Sequence, residues 1–347
     1  MNEEQNNLLA PVDMTGRVYS AIDFGMGADE AEETRNTSEP HPNFIESNTA
    51  EISLQDLVTK CIVPTFSDNS LTIAHQNFIA CVAKAASEVF GDITPIEIRV
   101  SHPINGRTPE ALYKKDSELS DDEKTIFYQR MAFVSHVTSL TRFINGQEVH
   151  LCIGGVRAYN EDKLYNRKSP EKFKIFAGWT CRVCSHLMLT CSGNSGTIEC
   201  MTEADVYQKA YQLFSAYNPE KDNDLTLLQN LNNTVLSEEM FCKIIGRMRL
   251  YQFLPTNEQN ELPELTIGDQ AVNAAVKNYV SNPNFGRKPG QDITCWNLLQ
   301  LLNEAVKQAY IDRWLDRNQN CTDFAIGIQK ALTTGDSSGL AYSWFLQ

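Results

Sequence analysis

Between Gly178 and Cys200 the chain reads GWTCRVCSHLMLTCSGNSGTIEC, gathering four of its ten cysteines and a histidine into 23 residues. Such a set serves a zinc ion held by thiolates, a thiol nucleophile activated by imidazole, or a strand that uses cysteine as a small apolar residue. Zinc would need Cys181, Cys184, Cys191 and Cys200, or three of them with His186, on one tetrahedron with sulfur at about 2.3 Å. Cys181 and Cys184 form a CxxC pair, but Cys191 and Cys200 show no matching paired spacing. The pair follows an alternating run in which Phe173, Ile175, Ala177, Trp179, Cys181 and Val183 share one strand face. Residues three apart on a strand point to opposite sides, so Cys184 is expected to point away from Cys181. The expectation is packed, reduced cysteines with no metal and no cofactor. A Cys184–His186 nucleophile pair has no orienting acid beside it in the chain.

Other motifs carry less chemistry. The segment GDSSGL from Gly335 has the outline of a serine-protease nucleophile, but that reaction also needs a His and an Asp, so it is read as a turn. Neither GxGxxG nor a Walker pattern is present, so Gly154-Gly155 marks a bulge or a close backbone approach. The polar residues most able to meet a ligand are His102, Arg107, Arg157, Lys243, Arg247, Arg249, Tyr251, Lys307 and Arg313. Arg107 follows Asn105-Gly106, where a tight turn would present it outward. Lys243 and Arg247 are four apart on a helix with Tyr251 one turn on, so phosphates could meet the charges and a base the ring. Basic residues late in a helix also complement its dipole, and a lone histidine such as His102 is more often a structural hydrogen bonder than a base.

The elements that must position these residues follow from periodicity. Ser53 caps a short helix, and apolar spacing from Thr72 predicts a second that ends at Gly91. Ile96, Ile98 and Val100 alternate as a strand, which Pro103 and Asn105-Gly106 should break. Ser120 and the acids after it suggest a helix from 119 to 131. Two strands follow, joined at Asn145-Gly146, a strong hairpin signal. A further strand runs from Phe173, and 187–191 with 197–201 reads as another hairpin. After Thr202 helices are expected at 203–217, 238–251 and 268–280, then one long run from 294 towards 332. This pattern predicts an α+β fold: a central antiparallel sheet at about 95–201, packed with N-terminal helices and a helical C-terminal half. Residues 51–334 read as a single domain, sheet-rich to 201 and helix-rich after it, between a disordered tail (1–50) and a short tail (335–347).

Charge is uneven. The formal total is −14, and residues 1–50 hold ten acidic and two basic side chains, leaving 34 and 28 for the rest. The acidic tail thus carries −8 and the folded part −6. That balance excludes a strongly basic nucleic-acid binder but allows a local basic groove. The start MNEEQNNLLAPVDM has no signal-peptide pattern, and no segment is apolar enough for a membrane helix, so a cytoplasmic protein without membrane partners is expected.

The segments SDNSLTIAHQNFI from Ser67, RVSHPINGRTPEA from Arg99, GGVRAYN from Gly154, VCSHL from Val183, FCKIIGRMRLYQFLP from Phe241 and CWNLLQLLNEAVKQAYIDRWLDR from Cys295 occur in order along the chain. Together they resemble an uncharacterised domain-of-unknown-function family of Bacteroides-type bacteria and their mobile elements, similar to the broader phage/plasmid-like protein family. The resemblance implies a mobile-element setting and no established reaction. In that family Val183-Cys184 is characteristic and Cys181 is not. His186 stands where an Asn is usual, and Glu304-Ala305-Val306 replaces a small polar stretch before Lys307. The expected function is a non-enzymatic accessory protein binding single-stranded nucleic acid through the nine residues above, its acidic tail competing with phosphate. The alternatives are a protein-interaction or DNA-mimic inhibitor of a host defence enzyme, and a Cys/His-dependent hydrolase.

Overall fold

The computed structural model describes residues 42–63, 72–158, 169–218, 223–334 and 337–347. The expectations for the tail up to residue 41 and for Gly335-Asp336 lie outside these residues. The fold is α+β. Its main sheet is antiparallel, in the order β1 (Thr49–Glu51), β2 (Glu97–Ser101), β5 (Met131–Ile144), β6 (Gln147–Arg157), β7 (Glu171–Cys181). Asn145 and Gly146 turn β5 into β6 with φ of 49° and 79°, the positive pair that a tight hairpin demands. The far edge of β7 is tiled end to end by β8 (Leu187–Met188) and β9 (Asn194–Cys200), each pairing with β7. The hairpin expected across 187–201 is therefore corrected: the two segments line up along β7 and do not pair with each other. Gly193, in the turn between them, allows this, since a Cβ there would sit 1.8 Å from the Ala177 carbonyl oxygen.

A side arm pairs β3 (Ile104–Arg107) with β4 (Lys124–Tyr128) and corrects two expectations. Asn105-Gly106 does not end a strand but lies within β3, where the register shifts in a bulge. The helix expected at 119–131 is one 3-10 turn, Asp121–Glu123, closed by a Ser120/Glu123 capping box. The Thr-Ile-Phe-Tyr run behind it then follows its strand propensity.

Helices cover both sheet faces. On one side α2 (His75–Phe90) sets Phe78 edge-on to Phe133 at 5.5 Å and 4.6 Å from Phe173, contacts worth about 1 kcal/mol each beyond their buried area. Gly155 makes room, since a Cβ there would lie 2.5 Å from the Phe78 ring, and a Cβ on Gly154 would lie 2.2 Å from the Phe133 carbonyl oxygen. The close approach expected at this glycine pair is present. Helix α1 (Leu54–Lys60), capped by Ser53, packs beside α2, as does α3 (Glu203–Ala216), which Thr202 and Asp205 cap. On the other face lie α7 (Cys295–Val306) and α8 (Ile311–Thr333), with Trp314 edge-on to Phe176 at 5.8 Å and Asp316 paired to Lys174 at 2.8 Å. Covered on both sides, β7 is buried at every position from Phe173 to Cys181.

Helices α4 (Asp224–Asn230), α5 (Glu238–Tyr251) and α6 (Asp269–Ser281) complete the helical half, with Phe241 stacked on Tyr279 at 4.0 Å. The C-terminal Phe345 docks on Phe324 and Tyr251. The long helix expected from 294 is two, and the break has a tertiary cause. A continuous helix would offer the Lys307 carbonyl to the amide of residue 311, but the Glu46 and Ser47 amides take it at 2.9 and 3.2 Å.

Candidate functional site

At the end of β7 the chain turns sharply. Ser185 N–H donates to the Cys181 carbonyl at 2.9 Å, Cys181 N–H to the His186 carbonyl at 3.3 Å, and Ser185 adopts φ 51°. The strand thus stops at Cys181, which corrects the expectation that Cys184 points away from it: the turn swings Cys184 back beside Cys181. The Cys184 thiol and the N–H groups of Cys184 and Val183 lie near the Cys181 sulfur, with the Lys307 ammonium near enough to act on its charge, and the Cys184 thiol also meets Gln300 Oε1 at 3.9 Å. These donors hold Cys181 well below the ordinary thiol value and push Cys184 well above it, helped by burial. Cys181 also donates to Gln147 Oε1 at 3.1 Å.

Beneath the turn, side chains of α7 hold its far end. His186, 1% exposed, meets Gln300 Oε1 with Nδ1 at 2.7 Å and hydrogen-bonds the Glu304 carboxylate with Nε2. That bond, opposed by burial and aided by Lys307, lowers the Glu304 carboxyl to about 2. Lys307 lies 3.4 Å from the same carboxylate and donates to the Cys184 carbonyl at 2.5 Å. His186 and Glu304, both singled out in the sequence, are therefore direct partners. Gln300 and Glu304 are functional partners that the sequence did not assign: they lie over a hundred positions from the turn, and only Glu304 fell at a position already singled out. Ser185 and Leu187 also line a cavity with Glu97, His136, Cys152 and Trp314, with about 20 Å³ for water centres, enough for one molecule. Burial, reinforced by Glu51 and opposed by Arg99, pushes Glu97 up to about 7.

The four clustered cysteines do not share one place. Cys200 pairs with Glu171 at the opposite end of β7 from Cys181, a separation of about 30 Å of extended chain. Cys191 is exposed in the turn between β8 and β9. Among the described residues, no three His, Cys, Asp or Glu side chains converge as a metal site.

The nine residues proposed for phosphate and base contacts fall into three groups. Arg157 is 1% exposed, donates to the Ile73 carbonyl and to Glu171, and lies 4.7 Å over the Phe173 ring. Lys307 and Tyr251 are also buried, the tyrosine hydroxyl accepting the Leu265 amide at 3.3 Å. His102, Arg107 and Arg313 are dispersed: His102 meets Asn48 at 3.2 Å, Arg107 donates to the Lys114 carbonyl in the side arm, and Arg313 lies 3.8 Å from Asp312. Lys243 and Arg247, four apart, share one side of α5, and Arg249 lies on another side of the same helix. The Arg247 guanidinium covers the Trp344 ring at 4.8 Å and donates to the Gln347 carbonyl at 3.1 Å. Lys243 pairs with Glu239 at 3.2 Å and Arg249 with Asp269 at 2.9 Å. Just past the helix end Phe253 stands 79% exposed, the outward aromatic that Tyr251 was expected to be.

These features define an α+β protein with a thiol-bearing turn braced by a buried His–Glu–Lys group. The family model described as "Domain of unknown function, B. Theta Gene description (DUF3871)" matches residues 29–346, and the chain belongs to that family. No curated protein and no solved structure matches it. Among the described residues, no helix is long and apolar enough to cross a membrane.

Proposed function

We propose that the protein is a non-enzymatic, cytoplasmic accessory protein of a phage- or plasmid-like element, and that it binds single-stranded nucleic acid along α5. The observation that supports this is the Arg247–Trp344 stack, with Lys243 one turn before it on the same side of the helix and the exposed Phe253 just past the helix end. Cations can follow a phosphate backbone there, while the ring offers a stacking surface worth about 1–3 kcal/mol per base. The acidic tail would compete for the same cations. A second reading, a protein partner, is favoured by the carboxylates already paired with Lys243 and Arg249. The hydrolase reading draws little from the geometry: both ring nitrogens of His186 are engaged, and Cys184 is held as a thiol.

Fluorescence anisotropy with labelled single and double strands tests the proposal. Binding is expected at about 50 mM salt, falling more than tenfold by about 200 mM through counterion release. Phe253→Ala and the pair Arg247→Ala with Arg249→Ala should weaken it, with melting temperatures measured alongside. Deleting residues 1–41 should strengthen it. No binding at the lower salt, with or without the tail, sinks the proposal and leaves the protein-partner reading.

A further inference from the structure

We propose that Cys181 and Cys184 form a reversible dithiol–disulfide site that exchanges with low-molecular-weight disulfides of the glutathione type. The first support is the shape of the turn. The Ser185 N–H to Cys181 C=O bond closes one helical turn over residues 181–185, which brings Cα atoms three residues apart within 7 Å, the span a disulfide requires. The second is proximity: the two thiols lie close enough to act on each other, while the Cys184 thiol also meets Gln300 Oε1 at 3.9 Å. The third is access from one side. Val183, between the cysteines, is 72% exposed and Cys184 is half-buried, whereas Cys181 is sealed beneath them. The fourth is a base at hand: two backbone N–H groups, a thiol and the Lys307 ammonium favour a thiolate on Cys181, which can take the Cys184 proton. The other cysteines lack these features: six (Cys61, Cys81, Cys152, Cys200, Cys295, Cys321) have thiols raised by burial, while Cys191 and Cys242 are exposed.

The chemistry balances as two exchanges. The reachable Cys184 sulfur attacks one sulfur of the external disulfide as its thiol proton passes to the Cys181 thiolate, which acts as the base. That S–S bond breaks, one small thiolate leaves, and a mixed disulfide stands on Cys184. Cys181 then loses its proton, attacks the Cys184 sulfur and expels the second small thiolate. The dithiol gives up two electrons and two protons, and the external disulfide becomes two thiols. The His186–Glu304–Lys307 brace holds the turn from below, since Lys307 donates to the Cys184 carbonyl.

This site is independent of the α5 reading, and its test is separate. The full chain carrying Cys191→Ser and Cys242→Ser is equilibrated with mixtures of reduced and oxidised glutathione, acid-quenched, alkylated and weighed intact, with peptide mapping. The expected result is a reversible loss of two hydrogens, mapped to a bond between 181 and 184, without build-up of a glutathione adduct. In Cys181→Ser the resolving thiol is gone, so glutathione should remain on Cys184. The proposal is overturned if the folded parent, checked by circular dichroism, keeps both thiols across the whole range or forms its bond elsewhere. Should Cys181→Ser fail to fold, the parent measurement alone decides.

Discussion

The cysteine turn and the α5 face both hold charged side chains at close range, yet they are built in opposite ways. The turn draws on β6 for Gln147, on the end of β7 for Cys181, and on α7 and its C-cap for Gln300, Glu304 and Lys307, and it is largely closed to water. Helix α5 supplies its three cations from one element, Lys243 and Arg247 on one side and Arg249 on another, and two of them stand about half exposed beside a carboxylate. Convergence from distant elements in a dry place makes each partner depend on the others; neighbours on one wet helix do not. The same kind of mutation should therefore have very different effects in the two regions.

The largest effect is expected at Glu304. Replacing it with Ala strips His186 and Lys307 of their shared carboxylate, and breaking a buried pair costs about 3 kcal/mol. Chemical denaturation at neutral pH measures this. The pH dependence gives a second check with a definite sign. The carboxyl titrates near 2 in the folded protein against an ordinary value of 4.5, so between these values the unfolded chain binds more protons. Its stabilisation is complete above about 4.5 and is lost as pH falls towards 2. The variant should show a shallower loss of stability through that window, by up to one proton, and an unchanged slope would contradict the assigned bond.

Glu97 provides the opposite sign in the cavity next door. Its folded value near 7 lies above 4.5, so between the two the folded state holds more protons and stability declines as pH rises. Glu97→Gln, which carries no charge, should be more stable than the parent by roughly 3 kcal/mol at pH 8. That advantage should vanish near pH 4. A constant difference across the range would mean that packing, not ionisation, separates the two proteins.

The contrast between the regions also marks what the sequence reveals. Period and punctuation were enough for α2 ending at Gly91, the Asn145-Gly146 hairpin, the Thr202 cap and the α5 boundaries, because each depends on residues within a turn of one another. The Lys243–Arg247 spacing was visible for the same reason. What failed depended on remote partners. The break before α8 comes from the amides of Glu46 and Ser47, and β9 pairs with β7 because Gly193 admits a carbonyl at close range. The cysteine turn was misjudged by extending the alternation of β7 three residues too far. Its brace on α7 has no local signature, because Gln300, Glu304 and Lys307 reach the turn only through the tertiary fold.

The smallest effect is expected on α5, and its smallness is informative. Arg249→Ala removes an ion pair to Asp269 in which the arginine side chain is 52% exposed and the aspartate 39%. Such pairs gain little, because water and salt screen both charges and a long side chain must be held in place. The loss in stability should stay below about 0.5 kcal/mol and shrink further at about 1 M salt, where the screening length falls to about 3 Å. Lys243→Ala should behave alike, since Glu239 is 78% exposed. Arg247→Ala should stand apart: its guanidinium covers Trp344 and bonds the last carbonyl, so about 1 kcal/mol is expected, with a change in tryptophan fluorescence. If Arg249 and Lys243 instead cost as much as Glu304, the α5 face would be a structural network like the cysteine turn, and its cations would be committed to holding the fold. If they cost little, those side chains are free to exchange their carboxylates for another anion, which is the property a phosphate-binding surface requires.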